Sequence, residues 1–330
     1  MWKTWPAPGV APVALSDVSE SRPGPVITGS DLTKSFGAHQ AVRGIDFEVE
    51  AGESFGFLGP NGAGKTSTMR MIGCVSPLSG GELRVLGMDP RVDGAKIRAR
   101  LGVVPQEDTL DTELTVWDNL VIYGRYFGLP RSLLRSRCQE LLEFVQLADR
   151  RDSLVDPLSG GMRRRLSIAR GLVNDPDVLL LDEPTTGLDP QARHLVWERL
   201  YQLQNRGVTQ VLTTHYMEEA EQLCDRLVIM DEGRIVDEGA PAELIAKHST
   251  REVVELRFPS EADRRSALPR LEALGERIEV LAERVLVYSS DGEAAVSWMH
   301  GDGLEPSSVL VRRSTLEDVF LHLTGRSLNE

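Results

Sequence analysis

Residues 59–66 read Gly59-Pro60-Asn61-Gly62-Ala63-Gly64-Lys65-Thr66, which satisfies the pattern G-x-x-x-x-G-K-[ST] at every fixed position. The octet follows a short apolar run at 53–58 that reads as a strand, and it opens a helical pattern over 66–72. Strand, glycine-rich loop and helix in that order commit this part of the chain to an α/β fold with a phosphate cradle. The glycines let backbone N–H groups turn inward around phosphate oxygens. Lys65 reaches the β and γ phosphates, and Thr66 offers a hydroxyl to Mg2+, all at the positive end of a helix. A second apolar strand, 178–181, ends in Asp182 and Glu183. It suits the other half of the same site, with Asp182 delivered to the metal and Glu183 one step further out, placed to orient and deprotonate water.

The rest of the composition bounds what can surround this loop. The chain has 330 residues, 37 Lys+Arg against 50 Asp+Glu and 41% hydrophobic residues, enough for one large and one small domain. Its net charge of −13 argues against a surface that tracks nucleic-acid phosphates, so no nucleic-acid partner is expected. No apolar run approaches the ~18 residues of a membrane span. Cys74, Cys138 and Cys224 are far apart and lack metal or redox spacing, as expected of reduced thiols. Five of the 18 prolines fall in residues 1–25, which read as a disordered tail and not as a signal peptide.

Beyond the tail, Ile45, Phe47 and Val49 alternate as in a half-buried strand, and apolar runs at 101–104, 178–181, 209–213 and 226–230 alternate with helical patterns, as in a parallel sheet. The stretch 114–148 is helical throughout, broken at Gly128-Leu129-Pro130, and reads as an all-α insertion; the helical subdomain is placed at about 108–168. A smaller α+β unit is expected over 249–330. Its last helix carries an expected capping box of Ser314 with Glu317, an apolar stripe of Leu316, Val319, Phe320 and Leu323, and a stop at Gly325.

Three further features narrow the reading. Leu158-Ser159-Gly160-Gly161-Met162 opens a helix rich in arginine and presents a second helix N-terminus to phosphate. Gln106 follows the strand at 101–104, and His215 stands at the end of the strand at 209–213. In this order, the phosphate loop, Gln, L-S-G-G, Asp-Glu and strand-end His resemble the nucleotide-binding subunit of ATP-binding cassette (ABC) transporters over about residues 26–245.

The resemblance implies a P-loop NTPase core of the ABC type that binds ATP and Mg2+. It implies that Phe36 stacks on adenine with Val42 beside it, and that Ser67 joins Thr66 at the phosphates. Gln106 would touch Mg2+, Glu183 would be the catalytic base and His215 would contact the γ-phosphate. Gly187-Leu188-Asp189 resembles the loop that crosses to a partner subunit. Family members bind ATP between two head-to-tail copies, so Ser159, Gly160 and Gly161 would complete the other copy's site.

Met162 stands where the family's commonest signature has Gln. That departure, Tyr123-Gly-Arg-Tyr-Phe-Gly-Leu, Thr213-Thr-His-Tyr-Met-Glu-Glu-Ala and Ser314-Thr-Leu-Glu-Asp-Val-Phe together resemble the branch of daunorubicin-resistance and nodulation-factor exporter ATPases. The branch implies a separate ABC-2 type membrane permease, a peripheral place on the cytoplasmic face of the membrane, and export of a drug, lipid or lipo-oligosaccharide. Trp117, Tyr123, Tyr126 and Phe127 are the expected permease-facing aromatics, with the core as the alternative. Arg163, Arg164 and Arg165 are expected on a solvated helix face. The competing readings are a soluble ABC ATPase acting on DNA or ribosomes, and a phosphate-loop kinase or GTPase, which would leave Ser159 to Gly161 without a role.

Overall fold

A computed structural model describes residues 24–274 and 277–325, so the expected tail lies outside the described residues except for its last two. The chain divides into two compact units, 1–238 and 239–330.

The first unit runs β1 Ile27–Phe36, β2 His39–Val49, β3 Ser54–Leu58, α1 Lys65–Ile72, β4 Gly80–Val85, α2 Pro90–Ala99, β5 Leu101–Val104, α3 Val116–Tyr126 and α4 Arg131–Phe144. It continues with α5 Gly160–Gly171, β6 Val178–Asp182, α6 Pro190–Asn205, β7 Thr209–Thr214, α7 Met217–Leu223, β8 Arg226–Asp231 and β9 Arg234–Gly239. One sheet has the order β5-β6-β7-β3-β8-β9, and β5 through β8 pair in parallel. β3, β6 and β7 are buried along their whole length, the pattern of strands covered on both faces. Leu58 pairs with Thr214 and Asp182 with Thr213, so three strands end at one edge. The residues that follow, Gly59, Glu183 and His215, therefore emerge together, where parallel α/β sheets bind ligands.

A second, antiparallel sheet of β2, β1 and β4 meets the first through Phe47, whose ring lies 5.2 Å from Phe57 and 6.3 Å from Phe55. Phe55 and Phe57 have no exposed surface, and each such side chain contributes about 1.5–3 kcal/mol by burial.

The helical insertion forms as expected: α3 is capped by Thr115, whose hydroxyl accepts from Asp118 N at 3.0 Å, and Gly128 to Pro130 separate it from α4. Its aromatics divide. Trp117 lies under the Arg151 guanidinium at 3.6 Å, Tyr123 and Phe127 pack edge to face, and Tyr126 alone of the four is exposed. The arginine run overturns one expectation, because Arg164 and Arg165 are buried rather than solvated. Arg165 donates to Val145 O at 2.6 Å and Arg170 to Thr109 O at 2.6 Å, so α5 is tied to the helical insertion by guanidinium groups capping buried carbonyls. Arg163 remains half-exposed and pairs with Asp108 at 3.1 Å.

The second unit comprises α8 Pro241–His248, β10 Glu252–Arg257, α9 Glu261–Leu271, β11 Ile278–Val280, β12 Val285–Ser289, α10 Gly292–Gly301, β13 Ser308–Arg313 and α11 Leu316–Thr324. Its antiparallel sheet has the order β11-β12-β10-β13. The unit starts at Gly239, ten residues before the expected boundary, because α8 packs on α11 and Ser314 Oγ donates to Thr250 O at 2.6 Å. The last helix is capped one residue later than expected. Thr315 and Asp318 form the box in place of Ser314 and Glu317, since Asp318 accepts from Thr315 N at 2.8 Å while Ser314 is engaged behind it. Gly325 ends the helix at φ 69°, as expected. The three cysteines are free, and burial pushes the Cys138 thiol up to about 11. Among the described residues no helix is long and apolar enough to cross a membrane.

Candidate active site

The phosphate loop leaves β3 through a space that admits no side chain at two positions. A Cβ on Gly59 would lie 2.2 Å from Met230 O, and one on Gly64, at φ +100°, would lie 2.5 Å from Ala41 O. Gly64 is the N-cap of α1 and provides no side-chain cap, and the first turn holds no acid. Its N–H groups thus point into the loop with no side chain competing for them, the geometry that favours an anion. Asn61 and Gly62 are exposed at the loop's rim, Pro60, Thr66 and Ser67 are half-buried, and Ala63 is buried. Val42, expected to flank a base, has no exposed surface and packs beneath Gly64, so it supports the loop from below.

Lys65 is buried and donates to Gly59 O at 2.7 Å and Pro60 O at 3.0 Å. Its Nζ lies 3.8 Å from Glu183 Oε1. Burial pulls its pKa down, opposed by the charges of Glu183 and Asp182.

Two carboxylates face the loop from the end of β6. Asp182 Oδ1 accepts from Thr213 Oγ1 at 2.5 Å and from Thr66 Oγ1 at 3.2 Å. Glu183 adopts φ 44°, a left-handed conformation uncommon for this residue type, and its N–H donates to Thr213 Oγ1 at 3.0 Å. Four side chains converge on its carboxylate. Gln106 Nε2 donates to Oε2 at 3.0 Å and Thr186 Oγ1 donates to the same oxygen at 3.1 Å. His215 Nδ1 lies 3.3 Å from Oε1, on the side of Lys65. The contact with His215 holds the Glu183 carboxyl below its ordinary range against burial, with Lys65 and Thr186 adding to the effect. Below the loop that follows, buried Glu219 accepts from Thr185 Oγ1 at 2.7 Å and Trp197 Nε1 at 3.1 Å.

The structure therefore brings together Lys65, Thr66, Gln106, Asp182, Glu183 and His215. Oxygen donors from Thr66 and Asp182, with room left to phosphates, suit Mg2+, which is usually bound through one or two carboxylates and its substrate. The remaining expected residues stand elsewhere on the same unit. Phe36 is half exposed, with Lys34 Nζ 4.8 Å from its ring, a geometry that leaves ring surface open for stacking. Ser159 is the N-cap of α5 and accepts from Met162 N at 3.3 Å, while Gly160 and Gly161 form the first turn. Asp189 caps α6 by accepting from Ala192 N at 2.9 Å.

Sequence reading missed three residues of the site. Thr213 and Thr186 are ordinary threonines until register and loop place them beside Asp182 and Glu183. The parallel pairing of Thr213 with Asp182 is the one signal that points to it. Arg164 is the third: its guanidinium donates to Asp182 O at 2.9 Å and Glu183 O at 3.1 Å, and in the sequence it is hidden within an arginine run.

A phosphate loop, paired strand-end carboxylates and a capped L-S-G-G helix on one parallel sheet define an ATPase of the ATP-binding cassette class. The ABC transporter family model matches residues 42–186, and the model described as nodulation factor export protein NodI, C-terminal domain, matches residues 262–325. The chain is 47% identical over 311 residues to Nod factor export ATP-binding protein I of Ralstonia nicotianae, covering 93% of this chain and 96% of that one. It is 48% identical over 302 residues to the protein of the same name from Paraburkholderia xenovorans, covering 91% and 97%. A dimeric ATP-binding cassette in a post-hydrolysis state bound to ADP and Pi superposes with TM-score 0.60 at 26% identity, covering 65% of this chain and 98% of that one. The chain belongs to the family of ABC transporter ATP-binding proteins, enzymes that couple ATP hydrolysis to transport.

Proposed function

We propose that this chain is the ATP-hydrolysing subunit of an exporter, seated on the cytoplasmic face of the membrane against a separate permease of the ABC-2 type. Relatives that match across both units are named for Nod factor export, which supports export of an amphipathic, lipo-oligosaccharide-like compound over a drug or simple lipid. The same breadth of match favours transport over action on DNA or ribosomes. Tyr126, exposed on the helical insertion, is the aromatic best placed to meet the permease.

Two copies would bind ATP head to tail, each nucleotide between one copy's phosphate loop and the other copy's Ser159, Gly160 and Gly161; a relative of the same fold is dimeric with ADP and Pi. Phe36 stacks on adenine. Lys65, Ser67 and the loop N–H groups would hold the phosphates, and Thr66, Asp182 and Gln106 would hold Mg2+, which would supply charge neutralisation to the phosphoryl group being transferred. Arriving phosphates draw Lys65 away from Glu183. That removes one of the cations holding the carboxyl down and raises its basicity toward the attacking water. Glu183 takes the water proton, and His215 contacts the γ-phosphate. Asp189 belongs to the loop facing the partner copy.

The observation that carries this reading is the Glu183 carboxylate, ionised and fixed by Gln106, Thr186 and His215 within 3.8 Å of Lys65. Glu183→Gln should slow hydrolysis by about 10²–10⁴-fold while ATP stays bound. The variant should elute as a dimer in MgATP and as a smaller species in ADP, and a further Ser159→Arg change should abolish that dimer. A variant that hydrolyses ATP normally would remove Glu183 from this role, and one that stays monomeric in MgATP would remove the shared site.

A further inference from the structure

The chain leaves β6 in an unusual way. With Glu183 at φ 44°, the strand ladder ends after Glu183 N donates to Thr213 O at 3.1 Å, and the carbonyls of Asp182, Glu183 and Pro184 follow one another into the interior, where Thr186 N reaches only that of Glu183, at 3.4 Å. A single side chain meets all three. Arg164, 8% exposed, donates from Nη2 to Asp182 O at 2.9 Å and Glu183 O at 3.1 Å, and from Nε to Pro184 O at 2.6 Å. Its Nη1 donates to Pro105 O, the carbonyl just before Gln106. Gln106 in turn donates to Glu183 Oε2 at 3.0 Å, which closes a ring of contacts: guanidinium, Pro105, Gln106 amide, Glu183 carboxylate, Glu183 carbonyl, guanidinium.

We propose that Arg164 is a positioning residue for ATP hydrolysis, whose guanidinium locks the first turns of the α5 helix to the two segments carrying Glu183 and Gln106. Arg164 lies five residues beyond Ser159 on the helix that Ser159 caps. The placement of that helix therefore sets the geometry of the carboxylate in its own subunit. Only a planar fork with donors in three directions serves four carbonyls at once, and an ammonium does not. The inference rests on the assignment of Glu183 as the base.

Arg165 supplies the internal control. It sits one residue along the same helix, is equally buried, and donates to Val145 O of the helical insertion at 2.6 Å. The test compares Arg164→Met, Arg164→Lys and Arg165→Met in the full chain, by thermal unfolding, by affinity for MgADP, and by KM and kcat for ATP. Both methionine variants should unfold at lower temperature. Arg164→Met alone should lose about tenfold or more in kcat, with MgADP affinity and KM within about threefold, as when an outer support of a reacting group is removed. Arg164→Lys, which keeps charge and stem and guards against a misfolded methionine variant, should show the same split with a smaller loss.

In the double variant with Gln106→Ala, the two losses should fall well short of multiplying, because both act on one carboxylate. Arg164 variants with unchanged kcat, or kcat losses matched by Arg165→Met, or multiplicative losses in the double variant, would overturn the proposal. A Glu183→Gln variant that still hydrolyses ATP would instead overturn the assignment of the base beneath it. An inert Glu183→Gln beside a fully active Arg164→Met would overturn Arg164 alone.

Discussion

Lys65 is one of five lysines in a chain with 32 arginines, and its setting explains why the shorter cation stands there. A compact ammonium donates to two loop carbonyls within 3.0 Å and still lies 3.8 Å from Glu183, a point-charge geometry that a planar fork does not reproduce. Lys65→Ala should cut hydrolysis by about 100-fold or more and weaken ATP binding, as loss of a buried phosphate-directed donor does. Lys65→Arg should not restore it. Activity assays with calorimetric titration of ATP check both, and turnover at the normal rate in Lys65→Ala would detach the loop from the chemistry. Residue identity made this position legible because the loop demands glycines and a cation at fixed spacing. It did not reveal Thr213, whose hydroxyl matters only because β6 and β7 pair in register.

Secondary-structure elements carry the next layer. The α5 helix begins at Ser159, whose hydroxyl caps Met162 N, so the side chain at position 162 is not what presents the helix terminus. Met162→Gln should therefore leave ATPase activity within a few fold, whereas on the proposed head-to-tail arrangement Ser159→Arg should remove it by obstructing the other copy's phosphate. Measuring the pair decides the matter: a severe loss in Met162→Gln beside a mild one in Ser159→Arg would reverse the assignment. Strands and helices of the core follow the apolar periodicity closely, since burial on both faces leaves continuous apolar runs. The cap of α11 shifted by one residue because Ser314 and Thr315 are both competent caps. The choice was made by Thr250, whose carbonyl takes the Ser314 hydroxyl.

At the scale of the whole molecule, two units with separate cores should respond separately to damage. In the second unit Asp318 is buried and accepts from Arg312 at 2.7 and 2.9 Å, Thr315 N at 2.8 Å and Tyr288 OH at 3.2 Å. Burial raises its carboxyl pKa, but Arg312 and Thr315 outweigh burial and hold it below the ordinary 3.8. As pH falls, the unfolded chain takes up the proton first. The stabilisation is thus complete above 3.8 and is lost as pH falls through the lower folded value. Asp318→Asn should destabilise this unit by about 1.5–3 kcal/mol at neutral pH, because the half-buried Arg312 loses its closest charge-assisted partner while Glu255 remains 3.7 Å away. The gap from the parent should narrow in that acid window. Calorimetry should show one transition moved and the other in place, with MgADP binding intact; a single shifted transition would show that the units unfold as one.

The sequence by itself determined the phosphate loop, the order of strands and helices around it, the helical insertion and the existence of a second ordered unit. Each of these is written in adjacent residues, as a φ requirement, a periodicity or a cap. Tertiary structure decided which side chains surround the two carboxylates, that Val42 lies under the loop, and that Arg164 is interior. The carbonyls that hold Arg164 come from positions 18, 19, 20 and 59 residues away along the chain. An arginine among arginines carries no local mark of them, because the donors a buried backbone needs are assigned only once distant segments have been brought together.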